Sequence, residues 1–136
     1  MTLTLIFILG IILNNMSNAA VGKYIGILLA SREQAHVFHL TTRSFASHKA
    51  LQTYYEEIVP LLDMYAETYM GKARKRIIVP DIPSNNRRTK LTPKFYFIRL
   101  ARRLSMLRLP KSPTLENIRQ EIDALVRQTV YMLSLK

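Results

Sequence analysis

Apolar residues recur at every third and fourth position along most of this chain, a spacing that predicts helices packed against one another. Side chains three and four positions apart share one face of a helix. The pattern predicts helices over Val21–Leu40, 45–70 and 94–109, and a fourth from Pro113 onward. With 136 residues and no internal repeat, the chain is expected to be one all-α domain of four helices.

Residues that cap or interrupt helices mark the ends of these segments. Ser44, Thr92 and Ser112 each stand where a side-chain oxygen would cap a first turn. Gly71 is expected to end the second helix, because glycine favours the position just past a helix end. Only residues 41–44 separate the first two helices, so these should be antiparallel neighbours.

An apolar run of eleven residues occupies positions 3–13. It is shorter than the ~20 residues that a helix needs to cross a bilayer. Three interpretations stay open. Residues 1–15 are an extension outside a domain comprising 16–136, or residues 1–19 hold a signal peptide or anchor, or the run packs as a helix. Because no Lys or Arg precedes the run, we favour the extension and do not expect a membrane contact.

The net charge of +11 is concentrated in one window. Residues 72–103 carry eleven Lys and Arg, with Asp81 as their acid. Such a surface can bind nucleic-acid phosphates without reading base sequence, or it can be a solvated loop and helix face. The candidate nucleic-acid contacts are Lys72, Arg74, Lys75, Arg76, Arg87, Arg88, Lys90, Arg99, Arg102 and Arg103.

All three histidines lie within thirteen residues, at His36, His39 and His48, and Asp63 and Glu67 follow further along. Imidazole nitrogens and carboxylate oxygens are ligands of iron, zinc and other divalent metals. The chain has no Cys, so thiolate ligands and disulfides are excluded. No zinc-finger, phosphate-loop or hydrolase motif is present. The histidines and these two acids are therefore the candidate metal ligands.

A helix over 45–70 would carry His48, Gln52, Asp63 and Glu67 on one stripe. At ~1.5 Å rise per residue, Asp63 would lie about 22 Å along the axis from His48, whereas metal ligands lie within about 2 Å of the ion. Two copies of the helix, packed antiparallel about a two-fold axis, would bring the two ends together and create two equivalent sites. The simpler interpretation is that these polar residues form hydrogen bonds within a helical interface.

Steps of twelve, fifteen and four residues lead from His36 to His48, Asp63 and Glu67. This ligand spacing resembles the Dps branch of the ferritin-like proteins. The sequence over 17–75 and 112–136 is similar to small Dps-related proteins of tailed bacteriophages. The resemblance implies a ferritin-like four-helix bundle with a basic loop between the second and third helices. It also implies metal sites between subunits, ferroxidase-type oxidation of ferrous iron, DNA association, and location in the host cytoplasm or the virion.

Two positions depart from the Dps pattern. That pattern places Trp directly after its first His. This favours His39, which is followed by Leu40, over His36 as the counterpart of that His. It also places an acid four residues after the second His, where this chain has Gln52 beside the candidate ligands. We therefore expect a Dps-like homo-oligomer that binds iron or another divalent metal. The alternative is a phage structural or nucleoprotein component that keeps the bundle without a working metal site.

Overall fold

The computed structural model describes residues 2–82 and 90–136, which form four helices and, within those ranges, no strand. The prediction of an all-α chain with four helices is confirmed. Helix α1 packs against α2, α2 against α4, α4 against α3, and α3 against α1, so the four enclose one core. The helices are α1 (Leu3–Thr41), α2 (Phe45–Ala73), α3 (Pro93–Ser105) and α4 (Pro113–Leu133).

Two of the predicted caps are formed. The Ser44 hydroxyl accepts a hydrogen bond from the Ser47 N–H at 3.2 Å, and the Thr92 hydroxyl accepts one from the Phe95 N–H at 3.4 Å. Ser112 stands at the N-cap of α4 but makes no side-chain cap bond. The short turn between α1 and α2 makes them antiparallel neighbours, as the sequence predicted, and we call this end of the molecule the hairpin end.

Helix α3 begins back at the hairpin end. The ring of Tyr96 lies 5.6 Å from that of Phe38 near the end of α1, and the ring of Phe97 lies 4.6 Å from that of Tyr54 near the start of α2. Since α2 ends at the opposite end of the bundle, the connection from Arg74 must return along its length. Helix α3 therefore runs parallel to α2.

Two glycines of α1 give this returning connection its path. A Cβ on Gly22 would overlap the carbonyl oxygen of Ile78, and a Cβ on Gly26 would come within 2.9 Å of the Ile82 side chain. The backbone of the connection can lie on α1 only because these two positions lack a side chain. The basic segment between the second and third helices is thus fastened to α1 over its described part.

Arg119 of α4 holds the far end of α3. Its guanidinium donates to the carbonyl oxygens of Leu104 and Leu107, at 3.3 and 3.2 Å. The Leu104 carbonyl also accepts from the Leu107 N–H, and the Leu107 carbonyl from the Leu109 N–H, so Arg119 adds a side-chain donor to both. The predicted third helix over 94–109 was too long: α3 ends at Ser105, and Arg119 binds its last turn and the residues that follow.

Two further helix boundaries differ from the predictions. Helix α1 begins at Leu3 rather than Val21, so residues 3–20 continue it without a break. Helix α2 passes through Gly71 to Ala73 and is ended by Arg74, which adopts a left-handed backbone conformation with φ 51°. Gly71 keeps helical geometry, and a Cβ at this position would meet open space. The helix therefore does not end at Gly71 but three residues later, at Arg74.

We predict that Ala substitutions at two helical glycines change the free energy of unfolding in opposite directions. Gly71→Ala should raise it by about 0.5–1 kcal/mol, because alanine favours the helix and its Cβ meets open space. Gly22→Ala should lower it by about 1–3 kcal/mol, because the new Cβ forces the Ile78 backbone away from α1. Urea unfolding followed by circular dichroism measures both, and stabilisation by Gly22→Ala would contradict the path of the connection.

Candidate functional site

The hairpin end brings the imidazoles together. His39 lies in the last turn of α1 and His48 in the first turn of α2, and their rings stack with centroids 3.7 Å apart and planes 19° apart. Each ring also contacts the other residue's backbone: His39 Nδ1 lies 2.8 Å from the His48 carbonyl oxygen, and His48 Nδ1 lies 2.9 Å from the His39 carbonyl oxygen. The two residues therefore form a reciprocal clamp across the turn.

The clamp determines which ring nitrogen carries a proton. A carbonyl oxygen only accepts hydrogen bonds, so Nδ1 of both His39 and His48 must be the donor. In the neutral imidazole the lone pair then belongs to Nε2. Histidines that bind metals commonly have one nitrogen fixed in this way by a carbonyl or carboxylate, which leaves the other nitrogen to act as ligand.

His36 and Tyr55 extend the cluster along the same surface. The His36 ring stacks on Tyr55 at 4.6 Å and meets His39 edge-on at 6.0 Å, and Tyr55 meets His39 edge-on at 5.2 Å. The Arg32 guanidinium carbon lies 5.8 Å from the Tyr55 ring centroid, within range of a cation–π contact. The sequence analysis missed Tyr55, although it follows His48 by two helical turns and so lies on the same face of α2.

The candidate acids lie elsewhere on α2. His48 and Asp63 belong to one continuous helix and are fifteen residues apart, or about 22 Å at the rise of an α-helix. Asp63 and Glu67 are exposed and His48 is half-buried. Gln52 lies between them and donates to Glu56 Oε1 at 3.0 Å. A single chain therefore gathers the imidazoles at one end of the stripe and leaves the two carboxylates at the other.

A complete metal centre is not formed within the described ranges of one chain. Across residues 2–82 and 90–136, no three His, Asp or Glu side chains are grouped so that they could share a metal. Among the buried tyrosines of the core, desolvation raises the pKa of Tyr65 to about 12, so in the metal-free protein its phenol stays protonated at neutral pH.

The basic window is divided into two separate surfaces. Exposed arginines at positions 99, 102 and 103 lie on α3, whereas the cations at the end of α2 lie beside the first part of α1. Lys90 is exposed just before α3. Arg87 and Arg88, which the sequence analysis also assigned to nucleic-acid contact, lie outside the described residues. We call the second surface the basic collar: Lys72, Arg74, Lys75 and Arg76.

The architecture and these side chains define a small all-α chain with an imidazole cluster at the turn between its first two helices. The chain belongs to the family of unknown function DUF5856, which matches residues 39–133. The matched range begins at His39 and includes His48 and all of α2, α3 and α4. Most of α1, including the apolar residues before Val21, lies outside it.

A phage protein is also similar to this chain. It is an uncharacterised 14.6 kDa protein in the mobD-ri intergenic region of Enterobacteria phage T4, 27% identical over 114 residues. The match covers 84% of this chain and 88% of the phage protein. No solved structure matches the chain. These findings agree with the expected resemblance to phage proteins. Neither the family nor the phage protein is described as ferritin-like.

Proposed function

We propose that this protein is a Dps-like homo-oligomer that binds a divalent metal, iron in the first instance, between two copies of α2. The observation that carries the proposal is the outward-facing stripe from His48 to Glu67. It presents an imidazole with an assigned Nε2 lone pair at one end and two exposed carboxylates, Asp63 and Glu67, at the other.

The stripe takes no part in the core of the monomer. The core side of α2 is formed by other residues, among them Leu51, Tyr54, Ile58, Leu62 and Tyr65. Among the ion pairs that the described residues make, none involves Asp63 or Glu67. Carboxylates that make no ion pair with the described residues can bind a cation, and a second copy of the same helix can reach them from outside.

An antiparallel pairing of two α2 helices would place His48 of one copy near Asp63 and Glu67 of the other. The resulting set of nitrogen and oxygen donors suits ferrous iron, zinc and other borderline or hard divalent metals. His36 or His39, both of which lie beside His48, would contribute a further nitrogen. The Dps resemblance implies that ferrous iron would be a substrate there, each ion giving up one electron to an external oxidant such as dioxygen or a peroxide.

We predict that metal binding and dimer formation are linked, because a ligand that binds only the dimer stabilises it by mass action. Zinc, as a redox-silent probe, should raise the thermal midpoint of the wild-type protein. His48→Asn keeps an N–H that can donate to the His39 carbonyl but removes Nε2, and Asp63→Asn removes one carboxylate. Each should lose the zinc-dependent increase, whereas Glu57→Gln, an exposed acid of α2 off the stripe, should retain it.

A mixture of the two variants tests the pairing itself. After subunit exchange, a heterodimer of the His48→Asn and Asp63→Asn chains contains one intact site and one doubly altered site. Calorimetric titration should recover zinc binding in the mixture that neither pure variant shows. Two results would contradict the intersubunit site: zinc binding by both pure variants, or no recovery in the mixture although mass spectrometry shows subunit exchange. Either result would favour the alternative, a phage structural component without a working metal site.

A second candidate function, nucleic-acid association, is favoured by α3. Arg99, Arg102 and Arg103 are exposed on this helix, and among the ion pairs formed by residues 2–82 and 90–136 none includes them. Positions 99, 102 and 103 share one side of a helix, so three guanidinium groups are available to phosphates together.

We predict that duplex DNA binds the protein without sequence preference and with an affinity that falls as salt rises. Changing Arg99, Arg102 and Arg103 to Gln should reduce the slope of log affinity against log salt by about 0.9 for each phosphate that is no longer neutralised. Fluorescence anisotropy over a salt series measures the slope. The same slope in the triple variant, or no binding at low salt, would argue against α3 as a DNA-binding surface.

A further inference from the structure

The first four turns of α1 project beyond the bundle. From Leu3 to Met16 every residue is exposed, and nine large apolar side chains between Leu3 and Leu13 keep 46–86% of their surface accessible. Soluble monomers rarely expose a continuous apolar surface of this extent without a partner. The projection therefore requires an occupant that the fold of one chain does not supply.

The distribution of apolar residues restricts what that occupant can be. A helix that lies on a flat protein surface is apolar along one stripe and polar on the opposite face. Residues 3–13 are apolar on all faces, with Thr4 and Gly10 as the interruptions. A helix that is apolar on all sides fits surroundings that are apolar on all sides. Among the described residues, α1 is long and apolar enough to cross a membrane, and only 17% of its most apolar stretch is buried.

The basic collar lies beside the point where the projection leaves the bundle. Lys75 Nζ donates to the side-chain oxygen of Asn15 at 2.7 Å, and the Asn18 side chain donates to the Arg76 carbonyl at 3.2 Å. All four collar residues are exposed, and Glu67 is the acid that shares a cleft with three of them. Along α1, an apolar segment is thus followed directly by asparagines and then by cations from α2.

We propose that this end of the molecule docks on a membrane with anionic lipids: residues 3–13 enter the hydrocarbon and the basic collar binds the headgroup phosphates. Eleven helical residues rise about 16 Å, which matches one leaflet of a hydrocarbon core ~30 Å thick. Asn15, Asn18 and the collar then lie at the depth of the headgroups. Cationic side chains beside an inserted segment strengthen attachment to anionic lipid. The proposal rests on observations separate from the imidazole cluster, which lies at the hairpin end.

A tryptophan reporter tests insertion directly, because the chain contains no Trp. Phe7→Trp and Phe45→Trp form a matched pair, since both phenylalanines are exposed, at 70% and 75%, at opposite ends of the molecule. With vesicles of phosphatidylcholine and phosphatidylglycerol, Trp fluorescence of the Phe7 variant should shift to shorter wavelength and be quenched by brominated acyl chains. The Phe45 variant should show neither effect. Equal responses of the two variants, or no response of the first, would overturn the proposal.

A matched charge test isolates the collar. Changing Lys72, Lys75 and Arg76 to Gln removes three charges from the collar, and changing Arg99, Arg102 and Arg103 to Gln removes three from α3. Each cation near an anionic surface contributes roughly a fivefold gain in partitioning. Vesicle co-sedimentation should therefore show partitioning weakened by about a hundredfold for the collar variant and by only a few-fold for the α3 variant. Equal weakening in both variants would show that total charge, and not the collar, attracts the protein.

The competing occupant is a second copy of this chain. If apolar segments covered one another, sedimentation without lipid would show a stable oligomer that Ile8→Asp dissociates. The Trp fluorescence of the Phe7 variant would then be at short wavelength before vesicles are added and unchanged by them. That combination would overturn the membrane proposal, whereas a lipid-dependent shift that Ile8→Asp weakens would support it.

Discussion

The reciprocal contact between His39 and His48 is the interaction on which the arrangement of this molecule depends. Each imidazole donates to the other residue's carbonyl while the rings stack. Two such hydrogen bonds contribute about 0.5–1.5 kcal/mol each, and they act at the turn that sets the direction of α2. Because α2 then runs antiparallel to α1 for 29 residues, its end reaches the level of Asn15. The same contact assigns the tautomer of both candidate ligands.

The two ends of the molecule consequently differ in chemistry. The hairpin end carries the imidazoles, and the opposite end carries the apolar projection and the basic collar. A dimer formed by antiparallel α2 helices would direct its two projections away from each other. Metal-linked pairing and membrane docking are therefore geometrically coupled, since such a dimer could insert only one projection into a given bilayer.

The helical periodicity was sufficient to predict the number of helices, their order and most of the core. Tyr24, Leu28 and Phe38 recur at the helical spacing and are buried. Two boundaries were wrong: α3 ends at Ser105, where Arg119 of α4 binds the carbonyls of Leu104 and Leu107, and α2 continues past Gly71 to end at Arg74. The predicted start of α1 was wrong because residues 3–13 show no amphipathic stripe. Without such a stripe, the sequence does not indicate that this run belongs to the same helix as the residues after it.

The sequence indicated which residues to consider as candidate ligands, but not their local geometry. Spacing along one helix was enough to separate His48 from Asp63, and the structure keeps them on one helix. The clamp between His39 and His48 could not be foreseen, because it depends on how the turn brings two backbone carbonyls within reach of two rings. The division of the basic window also required the fold, since sequence proximity placed the collar and α3 together.

The tautomers of His39 and His48 provide the most direct test of this account. A long-range ¹H–¹⁵N correlation spectrum of the metal-free protein at about pH 8, above the ordinary pKa of histidine near 6.5, reports which ring nitrogen is protonated. The clamp predicts a protonated Nδ1 and an unprotonated Nε2 for both residues. A protonated Nε2 on either of them would contradict the clamp, and with it the ligand nitrogen that the proposed metal site requires.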